Sequence, residues 1–271
     1  MTPDPFTLLV AITAVFLIAF MKGAFGGGFA IVGVPLLAIV MDPIEAGAML
    51  APLFVAMDMF ALRYWSPSTW SKPDLKALVP ALVVGIGLGT WLLGVLDHRA
   101  VAILIGGVTL VFAARWYVGG DRSVRRERSL AAATFAGTAS GVTTMIAHSG
   151  GPPLAMYLLP LGLPKNIYAG TTSLFFTAGN LIKLFPWLWL GSIAGAPWML
   201  MLVVLPAVPL GVWAGWKLHE RLDQVKLYRL LYALLVIVSA KLIWGGVSGY
   251  MKPEMQTYER LHVRVISAFP A

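Results

Sequence analysis

The stretch PALVVGIGLG at residues 80–89 returns as PAVPLGVWAG at residues 206–215, with the first proline and two of the glycines in register. At the same offset, further identities pair Leu96 with Leu222, Asp97 with Asp223, Ala114 with Ala240, and Gly119-Gly120 with Gly245-Gly246. Unrelated apolar segments would not keep glycines and an aspartate aligned over this length. The chain is therefore predicted to consist of two duplicated halves.

A weaker correspondence joins the beginnings of the two halves, at a slightly shorter offset. It pairs Gly23, Gly33, Pro35 and Leu36 with Gly141, Gly151, Pro153 and Leu154. The change in offset predicts extra loop length in the second half. Duplicated hydrophobic halves that each contain a Gly/Pro-interrupted segment at the same place are typical of secondary transporters, whose site lies at the repeat interface.

The composition predicts an all-α, polytopic membrane protein. Of the 271 residues, 59% are hydrophobic and 12% are charged, whereas a soluble domain has about 25% charged residues. The net charge of +8 comes from Lys and Arg in short loops between apolar runs, which favours membrane orientation over nucleic-acid binding. The absence of cysteine excludes disulfides and thiolate metal sites. The N-terminus has no basic region and carries Asp4, so the first run is predicted to be a retained span.

Apolar runs between charges and Gly/Pro positions predict about five segments in each half. They cover residues 6–21, 29–40, 44–64, 75–96 and 100–117 in the first half, and 130–145, 151–161, 167–184, 197–218 and 227–249 in the second. The second segment of each half has about a dozen residues, fewer than the ~20 that a membrane-spanning helix needs. Each is predicted to be a half-helix or part of a broken or re-entrant element.

Four arginines between residues 119 and 129 predict that the loop joining the halves is cytoplasmic. Counting spans from this loop places every Lys/Arg-rich loop on the same face of the inner membrane. Five crossings per half, the predicted count, invert the second half relative to the first, as in inverted-repeat transporters. The alternative of four crossings would make the halves parallel. The predicted organisation is a first repeat at 1–120, a basic linker at 121–128, a second repeat at 129–250 and a tail at 251–271.

The breaks KGAFGGGF at residues 22–29 and GVTTMIAHSGGPP at residues 141–153 predict the substrate site. Irregular backbone at bilayer depth is tolerated only where it is buried in protein or lines a cavity, and a half-helix that begins there would favour an anion. The alternative is that these glycines only allow close helix packing. A glycine triplet in one half and Ser-Gly-Gly-Pro-Pro in the other favour the broken helix. The candidate substrate-binding residues are Gly26, Gly27, Gly28, Ser149, Gly150 and Gly151.

Polar side chains next to the second break are further candidates for substrate binding. Thr171, Thr172 and Ser173 offer hydroxyls that can replace part of an oxyanion's hydration shell, or can simply bond to the backbone or a neighbouring helix. His148 lies inside the break itself, where an ionisable group is either a proton carrier or a ligand donor. The duplication does not require it, because Ala30 stands at the corresponding position.

Four residues are candidates for ion coupling or gating: Lys22, Asp58, Asn180 and Lys183. Asp58 would couple proton movement or offset a cation such as Lys183, with a structural ion pair as the alternative. Lys22 would attract an anion to the pocket mouth or extend to the membrane surface. The sequence has no P-loop, zinc-binding His/Glu pair or nucleophile elbow, so an ATP-driven pump, an enzyme, a metal and a cofactor are not expected.

A glycine-rich break followed by Pro35-Leu36-Leu37, a second break followed by Gly170-Thr171-Thr172-Ser173, and a basic loop between duplicated halves resemble the sulfite exporter TauE/SafE family of bacterial membrane proteins. The resemblance covers about residues 6–249. It implies transport of sulfite, sulfonates or related organic anions, with the substrate region at residues 26–28, 149–151 and 171–173. Family members commonly have further glycines where this chain has residues 147–149, which makes His148 its most individual feature.

Two classes of function remain open at this point. The first is a secondary carrier that rocks one repeat against the other and is driven by protons or by the substrate's own gradient. The second is an accessory or assembly protein whose polar breaks bind a partner helix. The expected partners are a small anion and the lipid bilayer, nucleic acid is not expected, and a homo-oligomer is left open.

Overall fold

The computed structural model describes residues 4–27, 36–37, 39–41, 43–92, 97–119, 126–146, 149–189 and 197–251. Within these ranges the only regular secondary structure is helical, which confirms the all-α prediction. Gly28, His148, most of the segment predicted at 29–40 and the tail from residue 252 lie outside the described residues.

The helices of the described ranges are named here in chain order. They are α1 Pro5–Phe25, α2 Pro43–Leu62, α3 Lys72–Leu92, α4 His98–Gly119, α5 Leu130–Ile146, α6 Gly151–Leu158, α7 Lys165–Trp189, α8 Trp198–Val204, α9 Ala207–Arg221 and α10 Gln224–Met251. Among them, four helices are long and apolar enough to cross a membrane: α1, α3, α4 and α10. The number of candidate spans rises to five if the bent pair α8 and α9 is counted as one span. The described chain therefore has the helices of a multi-pass membrane protein.

The residues at the two ends of α1 explain where the helix begins and where it ends. Asp4 caps the start by accepting hydrogen bonds from the backbone N–H groups of Phe6 and Thr7, each at 3.0 Å, as an N-cap aspartate does. At the other end, Gly26 and Gly27 have φ angles of 77° and 111°, in the left-handed region that glycine adopts at least cost. The helix thus stops at the predicted glycine-rich break.

The second half contains one element that is as short as predicted and one that differs from the prediction. Helix α6 has 8 residues and follows the break after α5. The single segment predicted at 197–218 is instead two helices, α8 and α9, bent by 40°. The bend occurs next to Pro206, which has no N–H to continue the helical hydrogen bonds. Its counterpart Pro80 lies inside the uninterrupted helix α3.

Glycines bring α3 and α5 into backbone contact. A Cβ at Gly85 would overlap the carbonyl oxygen of Thr138, and one at Gly141 would lie 2.5 Å from the carbonyl oxygen of Leu82. Further along both helices, Gly89 packs against Val142, so the two helices run in parallel. Small residues allow this close approach in membrane proteins.

The same arrangement joins α1 to α9. A Cβ at Gly23 would overlap the carbonyl oxygen of Val212, and one at Gly215 would overlap that of Phe20. In both pairs, the first helix of one half packs in parallel against the fourth predicted segment of the other half. Helix α5 packs against the whole of that segment, which is α3, and α1 packs against its last part, which is α9. For Gly23, Gly85, Gly141 and Gly215, close packing is what the structure shows.

Two other pairs are antiparallel and join corresponding elements of the two halves. Tyr250, near the end of α10, donates to Asp97 just before α4, and Tyr117 near the end of α4 donates to the carbonyl of Arg229 near the start of α10 at 3.4 Å. Helices α2 and α7, the third elements of the halves, also run in opposite directions. Along them Asp58 meets Asn180, and Ser71 after α2 meets Thr171.

Helix α7 lies between the two hydrophobic clusters of the fold. One cluster includes Leu78 of α3 and Phe175 of α7. The other includes Val15 of α1, Met57 of α2 and Ala169 of α7. Helix α7 contributes to both clusters, as α1 does through Phe25, and therefore links them.

We expect Gly85→Ala and Gly87→Ala to change stability in opposite directions. A Cβ at Gly87 meets nothing within 4 Å, so alanine there should raise the free energy of unfolding by about 0.5–1 kcal/mol through helix propensity. At Gly85 the overlap with Thr138 should lower it by about 1–3 kcal/mol. Thermal unfolding of both variants in detergent measures the difference, and equal stability of the two would contradict the tight α3–α5 contact.

Candidate functional site

One face of α7 carries the residues around which the site is built. Ser173, Phe176, Asn180 and Lys183 follow one another at steps of three, four and three residues, which places them on the same side of a helix. We call this set the polar face of α7. It faces the end of α1, helix α2 and the break between α5 and α6, as the following contacts show.

Lys22, Asp58 and Asn180 form a buried ionic cluster. The Lys22 ammonium pairs with one carboxylate oxygen of Asp58, and the Asn180 amide donates to the other at 2.7 Å. Lys22 is 2% exposed and Asp58 is 1% exposed, so Lys22 does not extend to the surface. Buried charges of this kind require partners. Asp58 therefore has Lys22 as its ion-pair partner, whereas the sequence suggested Lys183.

Lys183 lies one turn beyond Asn180 and has a different kind of partner. Its ammonium donates to the Thr144 hydroxyl of α5 at 3.0 Å, and it is near enough to Lys22 and Asp58 to interact with their charges. In the described part of the chain, no carboxylate forms an ion pair with Lys183. Two lysines and one aspartate leave this group with a formal charge of +1.

The two breaks meet at a single aromatic ring. A Cβ added at Gly27 would lie 3.3 Å from Cδ2 of Phe176, and one added at Gly150 would lie 3.4 Å from Cε1 of the same ring. Gly26 sits against the backbone of α7, where its Cβ would overlap the carbonyl oxygen of Ala169. Gly26 thus approaches α7 more closely than a side chain would allow, while Gly27 and Gly150 lie against the Phe176 ring.

The second break turns the chain back toward the middle of α5. The backbone N–H of Ser149 donates to the carbonyl of Thr143 at 3.1 Å, and the Thr143 hydroxyl donates to the carbonyl of Ser149 at 3.0 Å. Gly150 lies beside Ser140, about 9 Å before the end of α5 at 1.5 Å per residue. Helix α6 therefore begins at a depth well inside α5, as a re-entrant element does.

The start of α6 offers few amide donors. Pro152 and Pro153 carry no N–H, so Gly151 is the one residue among the first three of α6 with a backbone donor. An anion at this break would depend more on side chains than on bare amides. This differs from the expectation, based on the break alone, that backbone N–H groups dominate the site.

Three serine hydroxyls near the breaks are buried and have no hydrogen-bond partner: Ser140, Ser149 and Ser173. Each residue is at most 2% exposed. A buried hydroxyl left unpaired costs about 1–3 kcal/mol, and such groups are rare in native proteins. Ser140 and Ser149 flank Gly150, and Ser173 lies one turn before Phe176, so all three surround the point where the breaks meet.

The neighbouring threonines have different surroundings. Thr171 accepts a hydrogen bond from the backbone N–H of Ser71 at 2.8 Å and thereby holds the turn after α2 against α7. Thr172 is buried one turn after Tyr168, and its hydroxyl, like those of the three serines, has no hydrogen-bond partner. Of the three consecutive hydroxyl residues predicted to contact substrate, only Ser173 belongs to the polar face of α7.

A second buried carboxylate, Asp74, was not singled out from the sequence. Asp74 in the first turn of α3 accepts hydrogen bonds from Ser71, from Tyr157 at 2.8 Å and from Arg128 at 3.3 Å. It was overlooked because an aspartate in a first helical turn is usually a solvated group that favours the helix dipole. It joins α3, α6 and the chain just before α5.

A buried histidine, His219, was also not singled out from the sequence. His219 of α9 has Nδ1 at 2.7 Å from the carbonyl of Ala24 and Nε2 at 2.9 Å from the side-chain oxygen of Asn166. It therefore holds the end of α1 against α7 and α9. His219 was overlooked because its charged neighbours from Lys217 to Arg221 are typical of a helix end at the membrane surface.

We expect Lys22→Met to destabilise the protein by about 3–5 kcal/mol, because it leaves Asp58 buried without its ion-pair partner. Lys22→Met with Asp58→Leu should recover much of the loss. Lys217→Met is the control, since its pair with Glu220 is exposed and should contribute at most about 1 kcal/mol. Thermal unfolding in detergent compares the variants, and equal stability of Lys22→Met and Lys217→Met would contradict the buried pair.

Comparison with known proteins identifies the family of this chain. The model of the family described as Sulfite exporter TauE/SafE matches residues 11–242, which include both breaks and all of α7. Neither the curated proteins nor the solved structures give a significant match. The chain belongs to the sulfite exporter TauE/SafE family.

Proposed function

We propose that this protein is a secondary carrier that binds a small anion between its two breaks and moves it across the inner membrane by alternating access. The observation that supports this best is that Gly27 and Gly150 approach opposite parts of the Phe176 ring, so that both interrupted segments share one site. The family, described as sulfite exporters, supports sulfite, a sulfonate or a related organic anion as cargo. The linker at 121–128 would be cytoplasmic.

The helix directions support inverted repeats with five segments in each half. Halves related by a two-fold axis in the membrane plane bring corresponding helices together antiparallel, whereas halves related by an axis along the membrane normal bring them together parallel. The corresponding pairs α2 with α7 and α4 with α10 run antiparallel. Helix α1 packs on α9 and α5 packs on α3, so in both pairs the first segment of one half contacts the fourth segment of the other.

The substrate site of this proposal is assembled from both halves. Gly26, Gly27, Ser149, Gly150, Gly151 and Ser173 surround the Phe176 ring, and we assign Gly28 and His148 to the same site from their positions in the sequence. Thr171 and Thr172 support its wall. Rocking of one half against the other would move the two breaks relative to α7 and open the site to one face at a time.

The Lys22–Asp58–Asn180 cluster supports a proposal of proton coupling. Asp58 receives donors from α1 and α7 while belonging to α2, so its charge holds three elements together. A proton on Asp58 would remove the ion pair and weaken this connection. Binding a proton and moving the helices would then be linked through one carboxylate.

We expect Gly150→Leu to abolish sulfite flux in reconstituted vesicles. A Cβ at Gly150 would already lie 2.9 Å from the carbonyl oxygen of Ser140, so the larger side chain would displace the second break from α5 and Phe176. Gly87→Leu, at a position with open space around it, is the control and should retain flux. Both proteins must remain monodisperse in detergent. Absence of flux in the wild-type protein for every sulfur oxyanion and sulfonate would favour the accessory-protein alternative.

We expect Asp58→Asn or His148→Ala to remove the dependence of flux on the pH gradient. The measurement is initial flux into vesicles at several imposed gradients. If both variants keep the wild-type dependence, proton coupling through these residues is wrong, while transport itself is unaffected by that result.

A further inference from the structure

The chain between α2 and α3 contacts α7 near the start of that helix. A Cβ added at Gly170 would lie 2.1 Å from Oγ1 of Thr69, so a glycine is needed for this close approach. Two residues later, the backbone N–H of Ser71 donates to the Thr171 hydroxyl at 2.8 Å. We call residues 69–74 the docking turn. Its two contacts with α7 involve no anion and hold this helix at a fixed position.

The same turn holds one end of α6 through Asp74. The carboxylate of Asp74 accepts a hydrogen bond from the Tyr157 hydroxyl at 2.8 Å. Its other oxygen accepts from the Ser71 hydroxyl and from Arg128. Tyr157 lies in the last turn of α6, a helix of 8 residues. Helix α6 is therefore fastened to the docking turn at the end opposite to the second break.

A carboxylate suits this position better than a neutral side chain of the same shape. Asp74 is 2% exposed, and its ion pair with Arg128 compensates its charge. An asparagine would offer one acceptor oxygen instead of two, so it would lose the bond with either Tyr157 or Ser71. Hydrogen bonds to an ionised acceptor are also stronger than those to a neutral one. The charged group thus fixes its donors more firmly.

The docking turn thereby sets the position of α6 relative to α7. Gly150 precedes Tyr157 by seven residues, about 10 Å along a helix. Phe176 follows Thr171 by five residues, about 8 Å along α7. A helix as short as α6 has little stability of its own, so its position depends on the contacts at its two ends. The contact between Gly150 and the Phe176 ring therefore depends on the docking turn.

We propose that Asp74 is a positioning residue of the anion site. Through Tyr157 on α6 and Ser71 in the docking turn, it holds the second break at the separation from α7 that anion binding requires. This inference rests on the proposed carrier function and deepens it, because it adds a residue of the first half that controls two elements of the second. Asp74 acts on the site through its hydrogen-bond partners and not by contact with the anion.

The first test replaces Phe176 by 4-fluorophenylalanine in the full-length protein and records the 19F resonance in detergent, because Gly150 lies against this ring. Tyr157→Phe and Asp74→Asn should each shift or split the resonance, since each removes a hydrogen bond that fixes α6. If both variants give the resonance of the unaltered protein, the proposal is overturned. Tyr157→Phe removes one hydroxyl only, so it decides the outcome even if Asp74→Asn fails to fold.

The chain offers a matched control for each variant. Tyr117→Phe also removes one tyrosine hydrogen bond, to the carbonyl of Arg229 between α4 and α10. Asp223→Asn also neutralises an aspartate in an ion pair, with Lys226, but both side chains are exposed. Both controls should leave the 19F resonance unchanged.

The second test measures sulfite flux at several sulfite concentrations. Tyr157→Phe and Asp74→Asn should raise the concentration at half-maximal flux at least ~5-fold, about the effect of one hydrogen bond, with little change in maximal flux. A purely structural role would instead lower maximal flux at an unchanged half-saturation, and this result would overturn the proposal. The double variant should match Asp74→Asn, because both substitutions break the same link.

The outcomes also separate this inference from the carrier proposal. A protein that transports sulfite, with the same half-saturation and 19F resonance in every variant, overturns the role of Asp74 and leaves the carrier intact. Absence of flux for every sulfur oxyanion and sulfonate overturns the carrier. A shifted 19F resonance would still support the link between Asp74 and Phe176 in that case, because this measurement needs no transported anion.

Discussion

The hydrocarbon interior supplies no hydrogen-bond partners, and this constraint explains where polar groups lie in the fold. Most buried polar side chains that carry charge or a ring nitrogen are paired: Asp58 with Lys22 and Asn180, Asp74 with Tyr157 and Arg128, and His219 with Ala24 and Asn166. Against this background, the unpaired hydroxyls of Ser140, Ser149 and Ser173 stand out. Ser140 and Ser149 lie beside Gly150 of the second break, and Ser173 lies one turn before Phe176.

Glycine has two distinct uses in this chain. Gly23, Gly85, Gly141 and Gly215 lie in helices and bring two backbones together, as small residues do in membranes. Gly26 and Gly27 have left-handed backbone angles and end a helix. Gly23 and Gly141 correspond in the aligned stretches of the sequence, and each brings its helix into the same kind of backbone contact. The breaks are less alike, and this gives the two sides of the site different side chains.

The sequence predicts those parts of the structure that depend on neighbouring residues. The glycines after Phe25 correctly predict the end of α1, and the prolines after Gly151 correctly predict the short helix α6. Both predictions succeed because backbone geometry is encoded by neighbouring residues. The partners of Asp58 could not be predicted, since they lie 36 and 122 residues away. Phe176 was not among the candidates from the sequence, and only the approach of two distant glycines to its ring shows its position. The heptad-like spacing of Ser173, Asn180 and Lys183 was the one available signal for the polar face.

The packing of α1 against α9 has a consequence for how the chain enters the membrane. The face of α1 that contains Gly23 is complementary to residues around Val212 and Gly215, which are synthesised near the end of the chain. Because α1 precedes α9 in the chain, α1 must remain without this neighbour until α9 has been synthesised. Until then, lipid or the insertion machinery has to cover that surface, and the protein's assembly is completed only when its first and ninth helices finally meet.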